Sequence, residues 1–383
     1  MFENLSDYFK YDSLKILFIL HIPPPIHGAA MVGQAIKESR EINTAFDGRY
    51  INLSLSDRVD TIGKNGFAKV WRYISLLGQV IRQFITFKPD LCYLTIQIYR
   101  IGFYKDLPMV ILAKLFGVKV VYHLHNKGVS KWQHRFIDNL LYRMVFKNAE
   151  VILLSKNLYP DIQKYVPEER VHICANGVGA KDNSQWSMVN EKRKGRKGER
   201  ESKTVEILFL SNLIESKGVL VLLEACPLLK NKGLGFHCTF VGGEGDISEQ
   251  LLHSKIEQLN IQHYVTYAGL KYSEEKEQLL ADADIFVLPT YNDCFPLVLL
   301  EAMQHALPIV STFEGAISEM VINDVTGFLV PQKEAKPLAD KLEILITNSD
   351  LRDRMGAAGR ARYEQNYTLE IFEKRMKEIL NLF

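Results

Sequence analysis

Short unbroken apolar runs alternate along this chain with longer stretches whose apolar residues recur every three or four positions, and the alternation runs through twice. The short runs suit parallel strands buried on both faces, and the longer stretches suit the helices that cross between them. In the first half, strands are predicted at LKILFILHI (14–22), DLCYLTI (90–96), VKVVYHLH (118–125), EVILLS (150–155) and VHICANGV (171–178). IHGAAMVGQAIKESR opens a helix after the first strand, KVWRYISLLGQVIRQFITF is an amphipathic helix, and FYKDLPMVILAKLFG is helical between the second and third strands. The second half repeats the grammar. VEILFLS, FHCTFVGG, HYVTYAGL, IFVLP, LPIVST and VTGFLVP read as strands, with helices between them and three more over 335–347, 349–363 and 369–382. The expected fold is α/β, two Rossmann-like doubly wound domains with parallel sheets.

The pattern lapses once, between Ala180 and Thr204. There, residues 191–203 hold seven Lys/Arg against three Glu, as in a flexible linker. The expected layout is a first domain over 1–180, a basic linker over 181–203, a second domain over 204–365, and a C-terminal helix over 366–383 that packs back on the first domain. With 383 residues, two cores are the default. A net charge of +2 makes no case for nucleic acid, and five scattered cysteines show neither metal nor redox spacing. The polar start MFENLSDYFKYDSLK lacks the apolar core of a signal peptide, and Leu107 to Leu124 is interrupted by Lys114, Gly117 and Lys119. These features lead to the expectation of a cytoplasmic protein, soluble or peripheral to a membrane, with the basic run able to meet anionic lipid.

Candidate chemistry gathers between Ala283 and Pro331. Asp293 and Glu301 stand eight positions apart around the start of a helix that follows a buried strand. Such a helix start attracts anions, while carboxylates beside it suit sugar hydroxyls better than phosphate. Gly28 sits in a strand–turn–helix where backbone can approach a ligand, though the GxGxxG fingerprint is absent. His123 and His125 share one strand face and read either as buried structural histidines or as ligand contacts. Asp282-Ala283-Asp284 reads as a helix end, not as a metal-binding loop.

Together these residues resemble the retaining, GT-B-fold glycosyltransferases of family 4 (group 1 glycosyltransferases). The match is carried by DCFPLVLLEAM, LPIVST, EGAISEMV and VTGFLVP, with SNLIESKGV and the glycines at 242–243. The resemblance implies two domains facing across a cleft that holds the ligand. It implies Glu301 on the ribose hydroxyls of a nucleotide, a bidentate carboxylate suiting a vicinal diol. By the same likeness Asp293 and His125 contact the transferred sugar, and Lys217 neutralises the leaving diphosphate. Gly28, Asn212, Gly242, Phe295, Leu297 and Val298 line the donor. Three departures stand out: Asp293 where the family has Glu, Pro296 after Phe295 where glycine is usual, and Asn212 in place of an arginine.

The implied reaction moves a hexosyl group, with retention, from a nucleotide diphosphate sugar (UDP- or GDP-linked) to a polysaccharide or lipid-linked glycan at the inner face of the membrane. No metal and no cofactor beyond the co-substrate are expected. Two rivals share the architecture: a nucleotide-sugar epimerase, and a catalytically weak sugar-nucleotide-binding protein.

Overall fold

A computed structural model describes residues 13–24, 27–54, 66–179 and 204–383, so the basic run expected as a linker lies outside the described residues. The chain divides into two compact units. One runs through Asn176 and takes in Glu370–Phe383; the other is Gly177–Leu369.

The first unit contains β1 (Lys15–Leu20), α1 (Gly28–Glu38), α2 (Arg40–Ala45), β2 (Asp47–Asn52), α3 (Gly66–Thr86), β3 (Leu91–Leu94), α4 (Arg100–Leu115), β4 (Lys119–Leu124), α5 (Val129–Trp132), α6 (Phe136–Phe146), β5 (Glu150–Leu153) and β6 (Val171–Ile173). Its six strands are parallel, in the order β2-β1-β3-β4-β5-β6. From β1 the chain steps outward to β2, then returns past β1 and moves steadily the other way. Right-handed crossovers therefore put α1 and α2 on one face and α3, α4 and α6 side by side on the other. Contacts within that layer fit this placement: the Tyr73 hydroxyl donates to the Lys105 carbonyl, Phe84 and Phe116 stack at 5.1 Å, and the Tyr104 hydroxyl donates to Asp138 at 2.5 Å.

Two elements of this unit escape the apolar pattern, each for a physical reason. β2, DGRYIN, is an edge strand in which Ile51 alone is fully buried, so it needs no apolar run. α6, FIDNLLYRMVF, buries Asp138 while exposing Phe136, Ile137 and Leu140, so it shows no polar outer stripe.

The second unit contains β7 (Val205–Leu210), α7 (Val219–Asn231), β8 (Phe236–Val241), α8 (Glu249–Gln258), β9 (Val265–Tyr267), α9 (Ser273–Asp282), β10 (Ile285–Leu288), α10 (Leu297–Gln304), β11 (Ile309–Thr312), α11 (Ile317–Met320), β12 (Gly327–Val330), α12 (Ala335–Thr347) and α13 (Ser349–Asn366). Its parallel order is β12-β11-β10-β7-β8-β9, which makes the β7–β10 boundary the point where strand order reverses. Open α/β sheets bind ligands outside the carboxyl ends of strands at such a point.

The last helix, α14 (Leu369–Leu380), belongs from Glu370 onward to the first unit. There Lys377 pairs with Glu41 at 2.8 Å, and the Phe383 ring meets His172 at 5.5 Å. All five cysteines are buried free thiols.

Candidate active site

In the second unit, chain leaving β7 and chain leaving β10 meet at the switch point. A 3-10 turn, Glu215–Lys217, ends in Gly218 at φ 85, and a Cβ there would stand 2.2 Å from the Pro289 carbonyl oxygen. Only glycine allows both the left-handed backbone and that approach. The two loops are then tied: Tyr291 N–H and Thr290 Oγ1 both donate to the Ser216 carbonyl, at 2.9 and 3.0 Å, and the Tyr291 hydroxyl donates to Glu215 at 3.0 Å. This joint brings the Lys217 ammonium onto Asp293 Oδ2 in a partly buried ion pair.

Asp293 is held from behind. Its Oδ1 accepts from Cys294 N–H at 2.9 Å, and its own N–H donates to Glu314 Oε1 at 3.0 Å. Glu314 is 7% exposed and takes a further hydrogen bond from Gln332 at 2.9 Å. Gly315, at φ 54, lies so close that a Cβ would be 2.4 Å from the Asp293 carbonyl oxygen. Glu314 is thus a supporting carboxylate that had no role in the sequence reading. Its place within EGAISEMV was the one available signal.

α10 begins directly after this loop. Pro296 occupies its cap position at φ −71, within the range the ring imposes, so the departure removes one N–H without backbone strain. Leu297 and Val298 follow half-buried, and their N–H groups stand in the first turn, where a helix has no carbonyl of its own to bond them. The Phe295 side chain is buried and its ring meets Tyr367 edge-on at 6.1 Å, so it works as packing. One turn further on, Glu301 Oε1 pairs with Lys276 Nζ of α9 at 2.8 Å. Its other oxygen, Oε2, is buried and without a hydrogen-bond partner among the described residues. Lys276 was not legible from sequence because it comes from a separate helix.

The back of α10 is clamped by α13. A Cβ at Gly356 would stand 1.9 Å from the Ala306 carbonyl oxygen, and Arg360 donates to the Gln304 carbonyl at 2.7 Å.

At the end of β8, Gly242 adopts φ 151, and a Cβ there would be 2.0 Å from the Ser211 carbonyl oxygen. Asn212 Oδ1 accepts from Gly243 N–H at 3.2 Å, so the residue in the arginine position fastens this glycine turn. Asp282-Ala283-Asp284 is a helix end: Asp284 exchanges hydrogen bonds with Glu206 N–H at 3.0 Å and the Glu206 carbonyl at 2.8 Å. A cavity of about 220 Å³ opens there, at the amino edge of the sheet, away from Lys217 and Asp293.

In the first unit, four histidines gather at the carboxyl ends of β1 and β4. His123 and His125 rings lie 4.1 Å apart, and His21 and His27 rings 5.6 Å apart. His27 caps α1 through Nδ1, which accepts from Ala30 N–H at 3.3 Å, and Gly28 is the first residue of that helix. The close approach of helix to strand belongs to Gly33, whose added Cβ would lie 1.9 Å from the His21 carbonyl oxygen. His123 Nδ1 is bonded to the Tyr93 hydroxyl at 2.5 Å. The Nε2 atoms of His21, His123 and His125 are buried without hydrogen-bond partners among the described residues, although His125 keeps some exposed surface. Burial pushes His21 and His125 down to about 3, helped at His21 by Lys105 and neighbouring imidazoles and at His125 by His27; His123 is also lowered. They are therefore neutral imidazoles near pH 7. Among the described residues, no group of three or more His, Cys, Asp or Glu is placed to hold a metal ion.

Residues 190–362 match the family profile described as glycosyl transferases group 1. WcaL of Escherichia coli K12, provisionally named a colanic acid biosynthesis glycosyltransferase, is 29% identical over 250 residues, covering 62% of this chain and 58% of its own length. The amylovoran biosynthesis glycosyltransferase AmsK of Erwinia amylovora is 34% identical over 182 residues, 46% of this chain and 44% of its own. The chain thus matches less than three fifths of the length of these relatives. Among solved structures, Anabaena HepE in complex with UDP superposes with a TM-score of 0.72 at 18% identity, over 97% of this chain and 100% of that one. At that identity the likeness establishes the fold, the GT-B kind with two doubly wound units. The stretch 190–362, with Lys217, Asp293 and Glu301 inside it, is thus similar to the group 1 glycosyl transferases.

Proposed function

We propose that the protein is a glycosyltransferase that moves a hexosyl group from a nucleotide diphosphate sugar to a polysaccharide or lipid-linked glycan acceptor, with retention at the anomeric carbon. The observation that carries this reading is the switch-point constellation. The Lys217–Asp293 pair lies just before the first turn of α10, and Glu301 offers a sealed, unused carboxylate oxygen one turn on. Leaving-group charge grows as a glycosidic bond breaks, and a fixed ammonium plus a helix start stabilise it without reorganisation. In the ligand-free chain Asp293 neutralises Lys217. An arriving diphosphate takes over the ammonium and leaves Asp293 to accept from a sugar hydroxyl. Glu301 Oε2 is suited to a ribose hydroxyl, with Oε1 held in place by Lys276.

From the first unit, Gly28 and His125 enter the reading by family resemblance, His125 as a neutral hydrogen-bonding group for sugar. The relatives named for amylovoran synthesis and for a diphospho-undecaprenol-linked N-acetylgalactosaminyl transfer in Campylobacter jejuni favour a surface-glycan or lipid-linked acceptor. HepE, crystallised with UDP and glucose, favours a UDP-sugar over a GDP-sugar.

The test is a titration of the purified protein with a panel of UDP- and GDP-sugars, followed by transfer with the tightest donor in the presence of EDTA. NMR of the product is expected to show the donor's anomeric configuration, and activity is expected to survive the chelator. An inverted product, or no binding of any nucleotide sugar, would sink the proposal.

A further inference from the structure

The layer formed by α3, α4 and α6 is apolar on its outer side as well as its inner one. α3 turns Leu76, Val80 and Phe84 inward, yet a second stripe of Trp71, Ile74, Ile81 and Ile85 faces solvent at helical spacing. Trp71 is 69% exposed, Ile101 at the head of α4 is 85%, and Phe136 at the head of α6 is 83%. Twelve of the twenty-one large hydrophobic side chains exposed among the described residues lie on these three helices. A surface helix ordinarily keeps its outer stripe polar, and contiguous apolar patches mark contact surfaces.

Charge runs with the apolar surface. Residues 70–149 contain twelve Lys/Arg and three acidic residues, while the remainder of the chain holds more acid than base. Two of those acids, Asp106 and Asp138, are buried in the packing of the layer, so its exterior is basic. Cation and apolar side chain are neighbours in each helix head: Arg72 follows Trp71, Arg100 precedes Ile101, and Arg135 precedes Phe136. All three heads stand at the carboxyl edge of the sheet, since each crossover helix starts where a strand ends.

We propose that this face docks the protein on a membrane carrying anionic lipid. The apolar side chains would enter the headgroup boundary, and the adjacent Arg and Lys would meet lipid phosphate. This deepens the reading above, in which the acceptor is lipid-linked, and it rests on that reading for its purpose but not for its test. Charge complementarity selects a bilayer over a second copy of this chain, because a self-complementary dimer would set the same cations against each other. Among the described residues no helix is long and apolar enough to cross a membrane, so the contact is a surface one. Apolar insertion and basic attraction together supply the two signals that stable peripheral binding requires.

The experiment is flotation of the full chain with vesicles of phosphatidylcholine alone or mixed with phosphatidylglycerol, with neither donor nor acceptor present. Binding is expected with phosphatidylglycerol and is expected to fall with salt. The double variants Trp71→Ser/Ile74→Ser and Phe136→Ser/Ile137→Ser should each weaken it by about tenfold or more. Nucleotide-sugar affinity and melting temperature should stay as in the parent. Arg100→Gln/Arg135→Gln, which leaves the apolar side chains alone, should weaken binding and flatten its salt dependence. The proposal is overturned if the folded parent floats with neither vesicle, or if light scattering shows a dimer that the same variants dissociate. Loss of transfer activity with vesicle binding intact would instead count against the proposed reaction alone.

Discussion

Replacing Glu301 with Gln separates a ligand role from a structural one, because its two oxygens have different surroundings. Oε1 is tied to Lys276 at 2.8 Å, and both side chains retain some exposure, 20% and 26%. An ion pair of that kind contributes about 0–1 kcal/mol to stability. Gln keeps the volume and one oxygen for Lys276, so the melting temperature should drop by no more than about 4 °C. Oε2 is buried with no hydrogen-bond partner among the described residues, so desolvation has already been incurred in the free protein. A ligand hydroxyl arriving there gains a hydrogen bond to a charged group, about 1.5–3 kcal/mol. Gln puts an NH2 donor in its place. Taking about 2 kcal/mol as the loss, nucleotide-sugar affinity should fall about thirtyfold. Calorimetric titration of parent and variant with the tightest donor measures this, and thermal unfolding provides the stability control. A dissociation constant within about threefold of the parent, together with a large fall in melting temperature, would show Glu301 to be a structural residue; about threefold corresponds to less than 1 kcal/mol.

Three further outcomes follow from the geometry. Lys217→Met should lower kcat by about a hundredfold or more while the protein stays folded, since the ammonium acts on charge that develops in the transition state; an unchanged kcat would remove it from the chemistry. Gly242→Ala should destabilise the second unit by more than about 3 kcal/mol or prevent its folding, because the Cβ would sit 2.0 Å from a carbonyl oxygen at positive φ; denaturant unfolding reads this, and a loss under about 1 kcal/mol would contradict it. Stability should also fall on acidification. His21 and His125 titrate near 3 when folded and near 6.5 when unfolded, so the unfolded chain binds more protons between those values. Their contribution is complete above about pH 6.5 and declines by about 1.4 kcal/mol per pH unit for each histidine as pH falls toward 3. Melting curves from pH 7 to pH 4 should show the decline, His21→Gln/His125→Gln should flatten it, and a parent insensitive to pH would refute the buried-imidazole account.

The glycines show how far motif and packing can diverge. Gly28 opens α1 after a run of prolines at a strand exit, while the close approach of that helix to the strand is made by Gly33, which no motif singles out. Gly242 and Gly243 look equivalent as a pair, but only the first meets a carbonyl oxygen at a distance a Cβ cannot share. Asn212 shows the reverse case. As a substitution for arginine it suggests only a missing cation, whereas its amide oxygen fastens the glycine turn that borders the candidate site.

Sequence alone determined the alternation of strand and helix, the doubly wound class, and the stretch that carries Asp293 and Glu301. These are local properties: strands buried on both faces must be continuously apolar, and crossover helices must repeat near every 3.6 residues. The edge strand β2 and the helix α6 escaped the pattern because neither needs a two-sided contrast, one lying half in solvent and the other apolar outside as well as in. Tertiary structure alone decided the pairings. Lys217 and Asp293 are 76 residues apart and meet because β7 and β10 are neighbours at the switch point, and Lys276 reaches Glu301 from a separate helix. Which strand ends adjoin depends on sheet order, and sheet order is set by the packing of all the crossovers together, which no single window of residues contains.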